Sequence, residues 1–119
     1  MMRIGKLLHS FGHAIAGFRF ALRKEQNFKI EIAAGIFVVA AMLFMEVKTW
    51  EAIVLVIMIA GVLILEILNT SLEQLVNMLK PRVHPKARVL KDLMATAVFL
   101  AAIASTIVGL LIFLPYIFG

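Results

Sequence analysis

Long apolar runs alternate with short basic or polar stretches along this chain, and the spacing inside each run predicts helix. In the first stretch, LLHSFGHAIAGFRFALRKE, the residues Leu7, Leu8, Phe11, Ile15, Phe18 and Leu22 fall on one stripe of a helix. Lys6, His9, His13, Arg19 and Arg23 lie mostly off it. A basic amphipathic helix over residues 1–26 is therefore expected, lying in the membrane interface rather than crossing it. The next run, IAAGIFVVAAMLFM from Ile32 to Met45, gives about 21 Å of helix, short of a hydrocarbon layer of roughly 30 Å. It must borrow length from residues 27–31, with Lys29 snorkelling outward, so a first span is expected over about 28–46. A polar turn follows from Glu46 to Thr49.

A second span is expected over about 50–79. Trp50 suits an interfacial anchor at its start, and Lys80-Pro81 ends it because the residue before proline is pushed out of the helical region. After the basic loop KPRVHPKAR, Pro85 opens a third helix, expected over about 86–114. Its middle, ATAVFLAAIASTIVG, carries the small residues that allow close helix packing in lipid.

Composition makes these helices membrane helices. The 119 residues are 63% hydrophobic, where a soluble domain is about 45–50% apolar. One domain over 1–119 is the natural count. Cysteine is absent, which excludes a disulfide frame and a thiolate metal site. The net charge of +5 would suggest nucleic acid in a soluble protein; its distribution along this chain indicates a membrane surface instead. Residues 1–31 hold Arg3, Lys6, Arg19, Arg23, Lys24 and Lys29, and the second basic cluster is Lys80, Arg82, Lys86, Arg88 and Lys91. The turn between the first two spans holds Lys48 alone, and the C-terminal end holds no basic residue. This asymmetry places the N-terminus inside and the C-terminus outside. The N-terminal stretch, with Glu25, Glu31 and six basic residues, does not read as a cleavable signal.

Within the second span the stretch LILEILNTSLEQL places acids where burial disfavours them. At 100° per residue, Glu66, Asn69, Glu73 and Asn77 share a stripe about 80° wide, and a stripe that narrow should face protein or a water-filled cleft, not lipid. Counting from Trp50, Glu66 lies about 24 Å along the axis, near the inner edge of the hydrocarbon, and Glu73 about 10 Å further. One carboxylate can then reach a lipid hydroxyl and the other a cytoplasmic solute. Glu25, Glu31, His84, Lys91 and Asp92 fall on the same side, and acids beside cations suit a magnesium–phosphate site. No P-loop glycine pattern and no protein-kinase signature occurs, so a nucleotide site must be built from helix side chains.

These motifs resemble the small bacterial membrane lipid kinases, prokaryotic diacylglycerol kinase and undecaprenol kinase. EILNTSLEQLVN matches the family's acid-x-x-Asn-[Ser/Thr]-x-x-acid signature, AGFRFALRKEQNFKIE supplies Glu25, Phe28 and Glu31, and HPKARVLKD supplies His84, Lys91 and Asp92. The resemblance covers roughly residues 5–110. It implies an all-α integral membrane protein, a surface helix plus three transmembrane helices, assembled as a homotrimeric bundle with active sites between subunits. It implies transfer of the ATP γ-phosphoryl group to a lipid primary hydroxyl. By the same resemblance, Glu66 is the general base with Asn69 beside it, and Glu25 and Glu73 are the ligands of Mg²⁺. Lys6, His13, Glu25, Glu73, Arg82, Val83, His84, Lys91 and Asp92 are ATP contacts, and Glu31, Glu66 and Ala95 line the acceptor. His13 replaces a tyrosine common in the diacylglycerol branch, and Asn77 stands where an aspartate is frequent. E-x-N-F-K-I, N-T-S-L-E and His84-Pro85 look more like the undecaprenol branch, so undecaprenol is favoured and diacylglycerol is the alternative.

Two other classes compete. Intramembrane glutamates also mark ion or proton transporters, but a conduction path needs polar groups throughout, and Ile53 to Leu63 has none. A structural oligomer would need neither the acid stripe nor Glu25, Lys91 and Asp92.

Overall fold

The structure, a computed structural model, describes residues 2–79 and 85–119. Every regular element among them is helical: α1 (Met2–Lys24), α2 (Gln26–Met45), α3 (Thr49–Leu79) and α4 (Lys86–Phe118). The last three are long and apolar enough to cross a membrane. With twenty residues α2 reaches about 30 Å, so the short apolar run does borrow its missing length from the polar residues before it.

α1 and α2 are separated by a single residue. Glu25 adopts an extended conformation (φ −112°, ψ 114°) between two helical stretches, and its N–H still bonds the Ala21 carbonyl at 3.0 Å. No glycine or proline stands at this bend. Packing holds it: Phe28, 1% exposed, meets the edge of the Phe18 ring at 5.5 Å, with Ala21 also buried. α1 therefore stops at Lys24, a residue or two earlier than its sequence indicates.

The α2–α3 turn closes with Glu46 in the left-handed conformation (φ 50°, ψ 52°), its N–H bonded to the Met42 carbonyl. Thr49, expected in the turn, is already helical. Two residues on, Glu51 is buried. Its carboxylate accepts the Lys48 N–H at 3.0 Å and the hydroxyl of Tyr116, and the Lys48 N–H also reaches the Tyr116 oxygen at 3.3 Å. This ties the start of α3 to the end of α4. α4 accordingly runs to Phe118, past the expected end near residue 114 and through Pro115. Pro115 supplies no N–H to the Leu111 carbonyl, and one turn later the Gly119 N–H closes the helix on the Pro115 carbonyl at 2.9 Å.

α3 packs against both α2 and α4. Gly35 lets α2 approach closely, since a Cβ there would stand 3.1 Å from Ile59 Cγ2. Ser105 on α4 reaches the Met58 sulfur on α3 at 3.7 Å. Met42, Leu55 and Ile112 form a small core near the Glu51–Tyr116 end. Beside this core, the small residues of α4 border a groove of about 380 Å³ between α2, α3 and α4 rather than closing it. Overall extents of 57 × 46 × 21 Å and a radius of gyration of 17.7 Å describe a flat layer, against about 14 Å for a compact domain of this length. Phe44, Phe37 and Leu111 are exposed, as residues facing lipid are.

Two substitutions test these local features by thermal unfolding in detergent. Tyr116→Phe should cost about 1 kcal/mol, the net worth of one hydrogen bond, and an unchanged midpoint would show that the tie is not made. Glu46→Gly should stabilise by about 1 kcal/mol, because glycine adopts the left-handed conformation without steric penalty; a lower midpoint would contradict it.

Candidate active site

α2 runs antiparallel to α3, so the first turns of α2 lie beside the last turns of α3. That juxtaposition assembles the site. Glu66 sits on the face of α3 turned toward the bundle and is 3% exposed. Asn69 and Glu73 follow on the same face and are half-buried, while Asn77, a turn further, is exposed. From the other side come Glu25, at the bend, and Glu31, in the second turn of α2.

The four acids meet in two pairs. The carboxyl of Glu25 is within hydrogen-bonding reach of Glu73, and that of Glu31 within reach of Glu66. The pairs also feel each other, Glu25 through Glu66 and Glu66 through Glu73. One oxygen of Glu31, Oε2, is buried with no hydrogen-bond partner. Burial pushes the Glu25 carboxyl above its ordinary value; the charge of Glu73, its hydrogen bond and the charge of Glu66 add to this, and only Lys24 opposes it. Among the described residues, Lys24 is the one cation acting on the Glu25, Glu31 and Glu66 carboxyls.

Thr70, buried behind Glu66, donates its hydroxyl to the Glu66 carbonyl at 3.0 Å, which keeps a polar group in the apolar wall without an unmet donor. The sequence marks it only as the Ser/Thr position of the EILNTSLE signature and gives it no separate role. Glu51 is absent from the sequence reading, although a carboxylate three residues after Lys48 has the spacing of a helix N-terminal capping box. It lies at the opposite end of α3 from the four acids.

Other expected site residues stand apart within the single chain. Lys6 and His13 are exposed on α1, where His13 contacts His9. Lys91 is half-buried, and Asp92 and Ala95 are exposed, all near the start of α4. Neither Lys91 nor Asp92 is among the charges acting on Glu25, Glu31 or Glu66. Arg82, Val83 and His84 lie outside the described residues.

Among the described residues no three His, Asp or Glu side chains form a complete metal cage. The Glu25–Glu73 pair nevertheless fits a hard cation. Two carboxylates in contact supply oxygen ligands and gain from a positive charge between them, and Mg²⁺ is commonly held by one or two carboxylates with water and phosphate oxygens filling the remaining positions. The apolar groove begins at Glu31 and continues past Gly35, Met58, Ser105 and Gly109 to Ile117. A chain of hydrocarbon dimensions could lie along it with its polar end at the Glu31–Glu66 pair.

Comparison with known proteins places this geometry in context. A family model described as prokaryotic diacylglycerol kinase matches residues 12–113. Undecaprenol kinase of Bacillus subtilis is 37% identical over 112 residues, 94% of this chain and 91% of the relative. Diacylglycerol kinase of Synechocystis sp. is 39% identical over 110 residues, 92% of this chain but 63% of the relative. Diacylglycerol kinase of Pseudomonas aeruginosa is 26% identical over 102 residues, 86% of this chain and 83% of the relative.

Glu25 offers a pH test. Its folded carboxyl titrates above the ordinary 4.5, so its contribution to stability is fully present below that value and is lost as pH rises through the raised one. In metal-free buffer, Glu25→Gln should flatten this fall and raise the unfolding midpoint at neutral pH. Identical pH slopes for the two proteins would contradict the crowding of acids at the bend.

Proposed function

The chain belongs to the prokaryotic diacylglycerol kinase family and is a membrane lipid kinase, and from that premise we propose that it transfers the γ-phosphoryl group of ATP to the primary hydroxyl of undecaprenol. The observation that carries the mechanism is the meeting of Glu31 and Glu66 beside Glu25 and Glu73 at one end of an apolar bundle. The acceptor choice is supported by the match along 91% of an undecaprenol kinase and by the branch-like motifs around Glu25 and Glu66. Diacylglycerol is the second reading, favoured by the 39% identity to a diacylglycerol kinase.

In this reading Glu66 is the general base. It takes the acceptor's hydroxyl proton as that oxygen bonds to the γ-phosphorus and the bond to the leaving ADP oxygen breaks. Glu31 holds the Glu66 carboxyl in place, and Asn69, one turn along the same face, orients the hydroxyl. Ala95 lines the acceptor path. Glu25 and Glu73 would hold Mg²⁺, which when bound neutralises phosphate charge during transfer. Phosphoryl transfer needs mostly positioning and charge neutralisation, so a few helix side chains suffice.

Lys6, His13, Arg82, Val83, His84, Lys91 and Asp92 are assigned to the nucleotide. Lys91 and Asp92 start α4, remote in one chain from the charges that act on the acids, and a shared site in a homotrimer accounts for this. A second copy would bring its cationic groups to an acid cluster where, among the described residues, Lys24 is the one cation acting on Glu25, and would cover part of the exposed apolar surface. The distribution of lysine and arginine supports a site on the cytoplasmic side, with the N-terminus, and a C-terminus outside. α1 then rests on the inner surface.

Glu66→Gln should lower kcat by about 10² to 10⁴, the range for loss of a general base, with ATP affinity nearly unchanged. Near-normal turnover in that variant would remove Glu66 from this role. Mixing inactive Glu66→Gln with inactive Lys91→Ala should restore part of the activity if sites are shared between subunits. No recovery from co-assembled subunits would place each complete site in one chain.

A further inference from the structure

A second cluster lies on the exposed surface of α1, where His13, assigned above to the nucleotide, pairs with His9, which the kinase chemistry does not use. His9 and His13, one helical turn apart, turn their rings toward each other. The Nε2 atoms are 3.0 Å apart, the ring centroids 4.5 Å apart, and the planes cross at 88°. Two neutral imidazoles approach this closely at nitrogen because one hydrogen lies between them: one Nε2 carries it and the other accepts it. A turn of the two rings lets a metal ion bond both nitrogens in place of that hydrogen, and histidines four residues apart on a helix are a recurring chelating pair.

The donors select the ion. Imidazole nitrogen suits Zn²⁺, Ni²⁺ and Cu²⁺, and Cu²⁺ binds it most tightly of the three. No carboxylate precedes Glu25 in the sequence, so α1 itself offers no oxygen ligand to a hard cation such as Mg²⁺. We propose that His9 and His13 form a chelating site for a divalent ion of the copper class, separate from the Glu25–Glu73 pair. On binding, the donor ring moves its hydrogen from Nε2 to Nδ1. The rings turn about their Cβ–Cγ bonds so that both Nε2 lone pairs meet the ion off the line between them; no proton is released and no electron moves. The ion's remaining positions stay open to water or to an anionic oxygen, with Lys6 one turn away.

The test is titration of the purified full-length protein in detergent with Cu²⁺, followed by calorimetry and electron paramagnetic resonance, and it does not depend on kinase activity. The expected result is one ion per chain with a two-nitrogen signature. Affinity should fall by about tenfold or more in His9→Gln and in His13→Gln, as a chelate loses one arm. His84→Gln should bind as the wild type does, and excess Mg²⁺ should not displace the ion. Both side chains are exposed, so helicity by circular dichroism should be unchanged in the variants. Wild-type affinity in the His9→Gln and His13→Gln proteins would overturn the proposal, as would loss of the signature in His84→Gln or displacement by Mg²⁺.

Discussion

A carboxylate pressed against a second carboxylate in a poorly hydrated place is stable only if a proton or a cation lies between them. At one end of this bundle that situation occurs twice, in Glu25 with Glu73 and in Glu31 with Glu66. A structural protein has no reason to retain such an arrangement, because apolar side chains in the same positions would pack without the electrostatic cost. The cost is understandable where the acids have work to do on a hydroxyl and on a phosphate-bound cation. In the proposed mechanism the two pairs divide the labour: Glu25 stands at a bend where α2 begins, and Glu31 stands where the apolar groove opens.

The rest of the fold serves this meeting. α2 and α3 must run antiparallel and close together for the start of one to reach the end of the other, and Gly35 against Ile59 permits the approach. At the far end, the buried Glu51 binds the turn before α3 and the hydroxyl of Tyr116, so α3 and α4 are joined where the acids are not. Between these ends, the small side chains of α4 leave a groove rather than a filled core. Lipid, and in the proposed trimer other copies of the chain, take the place of the core that a flat layer of helices lacks.

Much of this is legible in the sequence because helix periodicity is local. The spans, the short first run and the shared stripe of Glu66, Asn69 and Glu73 all follow from counting residues at fixed rise and angle. The partners of that stripe do not. Nothing in the spacing of Glu31 says which acid it will touch, since the contact depends on how two helices slide past each other. The bend at Glu25 escapes local rules as well, because it is held by the ring of Phe28 on Phe18 and not by glycine or proline. Tyr116 and Glu51 are 65 residues apart and invisible to any pattern, and so is the continuation of α4 through Pro115 that their bond accompanies. Lys91 and Asp92 are expected beside the acids, and a single chain leaves them apart.

The decisive experiment follows a labelled γ-phosphoryl group. Purified protein in bilayers, supplied with γ-labelled ATP, magnesium and equal amounts of undecaprenol and diacylglycerol, should place the label in a lipid phosphate, with the undecaprenol product formed faster. Label released only as inorganic phosphate, or none transferred at all, would contradict a catalytic role for the four carboxylates.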